Sequence, residues 1–320
     1  MHLQVYASPQ HAPFHWRTHQ PTSTAADTSG APARIDAALL IHGFPGTPAE
    51  MRPLAESLYQ RGVTVHAPLL PGFGPEIPTI ARYRWRDWLD TVTTAVDRLQ
   101  SDHAHIALIG NSMGASLALL AARERNVTAL VLVAPFWRVH QRLVDWVFPL
   151  VRPLLKRMRP FRKADFQDSR FRASLRNILG DEINLDDPAV VAYVRELPLP
   201  IDALAQVRDL GRAAYRAASL VDCPVLILQG RHDPVAHPQQ SLALAGRLPR
   251  LMSLHMLPGD HDLVRDDSAA REQFFAVVGD FLTHHAVTPR DMQRQPVLYG
   301  QHHSSPVNQA TMSLEFGNRP

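Results

Sequence analysis

One cysteine in 320 residues, Cys223, excludes internal disulfides and fits a reducing compartment. Placed before Pro224 at the entrance of an apolar run, its thiol is expected to be a packing group. Lysine is almost missing: Lys156 and Lys163 are the two in the chain, so nearly all of the 33 basic residues are arginine. No apolar run approaches the roughly 20 residues of a membrane-crossing helix. The first residues, MHLQVYASPQHAPFHW, have no basic stretch followed by an apolar core, so no secretory leader is expected and the expected location is cytoplasmic. The 17 histidines are scattered, with no H-E-x-x-H and no Cys/His cluster, so neither a metal nor another cofactor is expected. The net charge of +3 comes without helix-turn-helix, RRM or zinc-finger spacing, and no nucleic-acid partner is expected.

What the chain does have is concentrated in residues 105–122, HIALIGNSMGASLALLAA. The run Ile106-Ala107-Leu108-Ile109 reads as a strand buried on both faces, and a helix-forming stretch follows from Met113. Between them lies Gly110-Asn111-Ser112-Met113-Gly114, a G-x-S-x-G pentapeptide. A tight strand-to-helix turn of this kind holds its serine in a strained conformation with the hydroxyl lifted above the sheet. The serine then sits at a helix N-terminus, which favours developing negative charge. Ser112 is therefore the candidate nucleophile.

Around this turn, apolar strands at 37–41, 63–67, 129–133, 224–229 and 252–256 alternate with helical stretches at 50–60, 85–99, 239–248 and 268–283. Phe14-His15-Trp16 has the character of an edge strand, and 20–33 that of a loop. The alternation predicts βαβ units and a mostly parallel sheet with helices on both faces. Catalytic groups then belong at the C-terminal ends of the strands. The pattern breaks between 136 and 219, where proline-punctuated amphipathic pieces show no strand signal. One of them, 143–155, is unusually apolar, and an arginine-rich run follows with Arg157, Arg159, Arg162, Arg170, Arg172 and Arg176. The expected organisation is a core of residues 1–135 and 220–284, a helical cap inserted at 136–219, and a polar tail at 285–320.

A serine nucleophile needs a base, and the base an orienting acid. Where a G-x-S-x-G turn carries the serine, the chain order is Ser, acid, His. Asp233 lies just past a buried strand in a turn shaped by Gly230 and Pro234, and is the expected acid. His261 follows the final short strand and is the expected base. His255 lies inside that strand, and His232 and His237 read as solvated loop residues. Asp260 and Asp262 flank His261 and, being its chain neighbours, should point elsewhere; Asp266 reads as a helix cap or loop brace. Two backbone N–H groups should meet the oxyanion: Met113, after the nucleophile, and Phe44, in the loop His42-Gly43-Phe44 after the first buried strand. His42 itself reads as a structural hydrogen-bonding residue beneath the site.

With these residues placed, the chain resembles the serine-hydrolase branch of the α/β-hydrolase superfamily, and within it the bacterial carboxylesterase and monoacylglycerol lipase group. The resemblance covers roughly residues 37–281 and rests on ALLIHGFPGTPAEMRPLAESL, HAPLLPGFG, GNSMGA, PVLILQGRHDPV and LPGDHDLVRDD. It implies an α/β-hydrolase fold and a serine carboxylic ester hydrolase with Ser112, Asp233 and His261 as its triad and Phe44 and Met113 as oxyanion donors. The acidic residue that family members carry five positions after the histidine is matched by Asp266. The elbow ends Gly114-Ala115 where many relatives have two glycines. GNSMG is also similar to carbon–carbon bond hydrolases of ring-cleavage products, which keeps that chemistry open, and a low-turnover ligand sensor on the same fold is the non-enzymatic alternative. Ser112 argues against haloalkane dehalogenases and epoxide hydrolases, which use an aspartate nucleophile. The implied partner is a small-molecule ester, of medium acyl chain or monoglyceride-like if the apolar part of the cap lines its site. The cap arginines offer charge for a weak contact with an anionic membrane surface, although a solvated basic face is the simpler reading.

Overall fold

The strands here are mostly short apolar runs bounded by turns, the exposed pair Arg157–Met158 being an exception. They are Phe14–Trp16 (β1), Ala37–Ile41 (β2), Thr64–Ala67 (β3), Ile106–Asn111 (β4), Ala129–Val133 (β5), Arg157–Met158 (β6), Leu199–Pro200 (β7), Val225–Gly230 (β8) and Leu251–Leu257 (β9). In this computed structural model the described residues are 6, 8–18, 34–138, 157–179, 183–265 and 268–284. Seven strands form one sheet in the order β1-β3-β2-β4-β5-β8-β9. Edge strand β1 is antiparallel to β3, and the other pairings are parallel. This is the expected mostly parallel α/β-hydrolase sheet.

The pleat sorts β2 and β4 between two apolar layers. Leu39, Ile41 and Leu108 face helices Trp85–Gln100 (α2) and Met113–Glu124 (α3). Ala38, Leu40, Ala107 and Ile109 face Arg52–Gln60 (α1) and the last helix, Arg271–His284. Both faces are covered, which is why these strands are continuous apolar runs rather than alternating ones. Register brings Ile41 beside Gly110, Asn111 beside Val133, and Gly230 beside Leu257. The turns after β2, β4, β8 and β9 therefore leave from one rim of the sheet.

The stretch between β5 and β8 is more varied than its sequence suggests. Helices Ser169–Leu179 (α4) and Pro188–Arg195 (α5) gather Phe166, Leu175, Leu185, Val190 and Val194 into a satellite cluster that also takes in Tyr6. Two short strands, β6 and β7, pair antiparallel there, although no strand is expected from sequence; two residues cannot display a period. Helix Ile201–Ala217 (α6) buries Ala203, Val207, Leu210 and Ala214 in the same core as α3. Trp137 stacks on Tyr215 of that helix with ring centroids 3.9 Å apart. Helix Pro238–Ala245 (α7) follows β8, and Arg271–His284 (α8) follows β9. The apolar segment 143–155, the loop 20–33, Asp266 and the tail 285–320 lie outside the described residues. Among the described residues, no helix is long and apolar enough to cross a membrane.

Candidate active site

Ser112 joins β4 to α3 with φ 54° and ψ −112°, a left-handed conformation that costs on the order of 1–3 kcal/mol and persists only when its surroundings enforce it. They do so here. Its N–H donates to Val133 O at 2.8 Å and its carbonyl accepts from Ala115 N–H at 3.2 Å. A Cβ on Gly110 would strike the Gly114 carbonyl, and one on Gly114 would strike the carbonyls of Ile41 and His42. The two glycines thus let helix and strands close around the serine.

Ser112 and His261 are 149 positions apart in sequence, yet His261 Nε2 lies 2.9 Å from Ser112 Oγ. On the other side of the ring, His261 Nδ1 lies 2.7 Å from Asp233 Oδ2. The carboxylate fixes the tautomer: Nδ1–H donates to Asp233, leaving Nε2 to accept from the serine hydroxyl. Asp233 is 2% exposed. Its Oδ1 accepts from the N–H groups of Val235 and Ala236, each at 2.8 Å, and its Oδ2 from Gln229 Nε2 at 3.0 Å. Burial works against an imidazolium at His261. The hydrogen bond and charge of Asp233, with the charges of Asp262 and Glu50, outweigh it and hold the ring above the usual histidine value.

The turn after β2 closes the site from the other side. A Cβ on Gly43 would meet Ser112 Cβ and Asn111 O at 3.3 Å, which puts the His42-Gly43-Phe44 turn directly beside the elbow. Met113 opens α3, where the first N–H groups of a helix have no partner within it. His42 is fully buried. Its Nδ1 bonds Gly43 O at 2.9 Å and its Nε2 accepts from Leu70 N–H at 3.2 Å. Burial pushes it down to about 4, so the neutral ring braces the turn. Phe44 packs edge-on against Phe73, with centroids 5.9 Å apart.

The structure brings together Ser112, His261, Asp233 and the two turns that carry Phe44 and Met113. It leaves the other candidates aside. Asp262 pairs with Arg265 at 3.3 Å and Asp260 Oδ1 accepts from Asp262 N–H at 3.1 Å, while His232 is exposed. Cys223 is buried and its thiol is pushed up to about 12 by that burial, the state of a packed group. Several of the arginines after position 156 bind locally: Arg159 with Glu196 at 2.9 Å and Arg172 with Asp186 at 2.6 Å. Two polar residues at the site were not legible. Gln229 interrupts the apolar run of β8 and donates to Asp233, Gly230 O and Ala236 O. Glu50 accepts from Gly43 N–H and from Asn111 Nδ2. A glutamine inside an aliphatic strand was the available signal for the first; a glutamate in a turn gives none. Among the described residues, no group of three or more His, Cys, Asp or Glu is arranged to hold a metal ion.

Comparison with known proteins gives a consistent family. Residues 34–268 match Hydrolase_4, described as serine aminopeptidase, S33. A thermostable monoacylglycerol lipase of Bacillus sp. (strain H-257) is 40% identical over 94 residues, 29% of this chain and 38% of that protein. The match therefore spans well under half of the lipase's length. A carboxylesterase of Bacillus subtilis (strain 168) is 24% identical over 199 residues, 62% of this chain and 72% of that one. A solved structure from work on LipS and LipT, two metagenome-derived lipolytic enzymes, superposes with TM-score 0.64 at 21% identity, covering 86% of this chain and 98% of that one. At that identity the likeness concerns the fold.

Proposed function

Because the chain belongs to the Hydrolase_4 family of α/β-hydrolases, we propose that it is a serine carboxylic ester hydrolase, with monoacylglycerol-like esters as the first substrates to try. The hydrogen-bonded line from Ser112 through His261 to Asp233 carries this reading. Ser112 Oγ attacks the ester carbonyl as His261 Nε2 takes its proton, and Asp233 stabilises the resulting imidazolium. The N–H groups of Phe44 and Met113 hold the oxyanion, each contributing roughly 3 kcal/mol to the transition state. His261 returns the proton to the leaving alcohol, which departs and leaves an acyl-Ser112 ester. Water, deprotonated by the same imidazole, then attacks that ester and releases the carboxylic acid. Helices α4 and α5 are proposed as the cap over the acyl side, with the Phe44 ring lining it. The 40% identity to a monoacylglycerol lipase supports the substrate class.

A fluorophosphonate probe tests the chemistry. Stoichiometric labelling of the wild type, lost in Ser112→Ala, is expected together with hydrolysis of p-nitrophenyl esters of graded chain length. A wild type that takes no label and turns over none of these esters overturns the reading.

A further inference from the structure

Glu50 has no part in the reaction above, yet it lies beneath it. It sits in the 3-10 turn Pro48–Met51, partly buried, with its carboxyl turned inward. Its Oε1 accepts from Gly43 N–H and, at 3.2 Å, from Asn111 Nδ2. Gly43 immediately precedes Phe44, and Asn111 immediately precedes Ser112. One oxygen thus joins the turn bearing a proposed oxyanion donor to the turn bearing the nucleophile. The other oxygen lies where a Cβ on Gly46 would be, so the turn is built around this carboxyl group.

Resting on the ester-hydrolase reading, we propose that Glu50 is a positioning residue: it holds the two turns in register and adds a further carboxylate, beside those of Asp233 and Asp262, to the surroundings of the imidazolium that His261 becomes. The Gly43 N–H and the Asn111 amide bond Glu50, and the charges acting on it are the His261 imidazole and the Asp262 carboxylate, the last paired with Arg265. Burial pushes Glu50 up to about 7; Asp262 adds to this, while the two N–H donors and His261 pull it back. Reciprocally, Glu50 favours the charged form of His261. Opposite charges in a poorly solvated site support one another strongly, so the ionised carboxylate stabilises the imidazolium present in both acylation and deacylation. Glu50, pushed up to about 7, and His261, held above its usual value, then titrate as interacting groups, and the acid limb of the rate profile belongs to the pair.

The substitution Glu50→Gln separates charge from shape, because the amide oxygen can still accept from Gly43 and Asn111. Measured against pH with a p-nitrophenyl ester, kcat should fall about tenfold while KM stays within about twofold. The two-proton acid limb should become a one-proton limb displaced to lower pH, since His261 loses an attractive charge and its proton leaves more readily. Fluorophosphonate labelling to full stoichiometry should show that the variant is folded, and Glu50→Asp should restore the two-proton limb. An unchanged kcat and pH limb in Glu50→Gln would overturn the proposal. So would equal losses in Glu50→Gln and Glu50→Asp with the limb unmoved, which is the pattern of a purely structural residue. A wild type without label or turnover is a different result: the ester-hydrolase reading falls, and this one with it.

Discussion

Asp233 receives Val235 and Ala236 on one oxygen and Gln229 and His261 on the other. Asp233→Asn keeps the shape and changes the hydrogen-bond sense. With its carbonyl on Val235 and Ala236, the amide would present N–H to His261 Nδ1, forcing the proton to Nε2, where it faces Ser112. A base already protonated at that atom cannot take the serine proton. The expected loss is roughly 10³–10⁴-fold in kcat with far-ultraviolet circular dichroism unchanged; near-normal turnover would remove Asp233 from the reaction. The same residue shows how far sequence reading reaches. Asp233, His261 and Ser112 each follow an apolar run at a turn, a signal confined to a few neighbours in the chain. Glu50 and Gln229 acquire their meaning from groups that fold against them, and nothing in TPAEM announces that Gly43 will come to lie over the carboxylate.

At the scale of elements, α3 is pressed against the end of β2 through a residue without a side chain. A methyl on Gly114 would overlap the carbonyls of Ile41 and His42, atoms that belong to the sheet and to the turn carrying Phe44. Gly114→Ala should therefore cost about 1–3 kcal/mol or more as an overpacked contact and slow fluorophosphonate labelling, since the strand end must retreat. Gly246 makes the contrast: its Cβ would meet nothing closer than 3.8 Å, at φ −65°. Gly246→Ala should leave the melting temperature unchanged or raise it through about 0.4–1 kcal/mol of lost unfolded-state entropy. Equal melting temperatures for the two variants would refute this account of the elbow. The sheet strands were legible because they lie buried between two layers and carry long apolar runs. Strands β6 and β7 and the 3-10 turns at 48–51 and 74–82 were not, because two to nine residues of irregular backbone display no period. Helix α6 reads as amphipathic from sequence, but whether its apolar stripe covers the sheet or a cap depends on which surface it meets.

The whole molecule carries two groups near the site, buried His42 and partly buried Glu50, whose proton affinities move in opposite directions on folding. His42 is lowered from 6.5 to about 4, so the unfolded chain binds the extra proton between those values. Its contribution to stability is complete above about pH 6.5 and is lost as pH falls toward 4, a span worth roughly 3 kcal/mol. Glu50 is raised from 4.5 to about 7, so here the folded chain binds the extra proton. Its contribution is complete below about pH 4.5 and is lost as pH rises toward 7, again roughly 3 kcal/mol. Between pH 4.5 and 6.5 the two slopes oppose and largely cancel, so these groups leave stability nearly level there. Glu50→Gln removes one side of that balance. The variant should melt above the wild type at pH 8, by several degrees for about 3 kcal/mol in a protein of this size. Its advantage should shrink to near zero at pH 4.5, where the wild-type carboxyl is already neutral. Differential scanning calorimetry of both proteins across pH 4.5–8 measures that convergence; a difference independent of pH would mean that the Glu50 carboxylate folds without a cost. With the expected convergence, and since the same substitution is expected to slow turnover, the carboxylate is a charge retained beneath the site for the reaction at the expense of the fold.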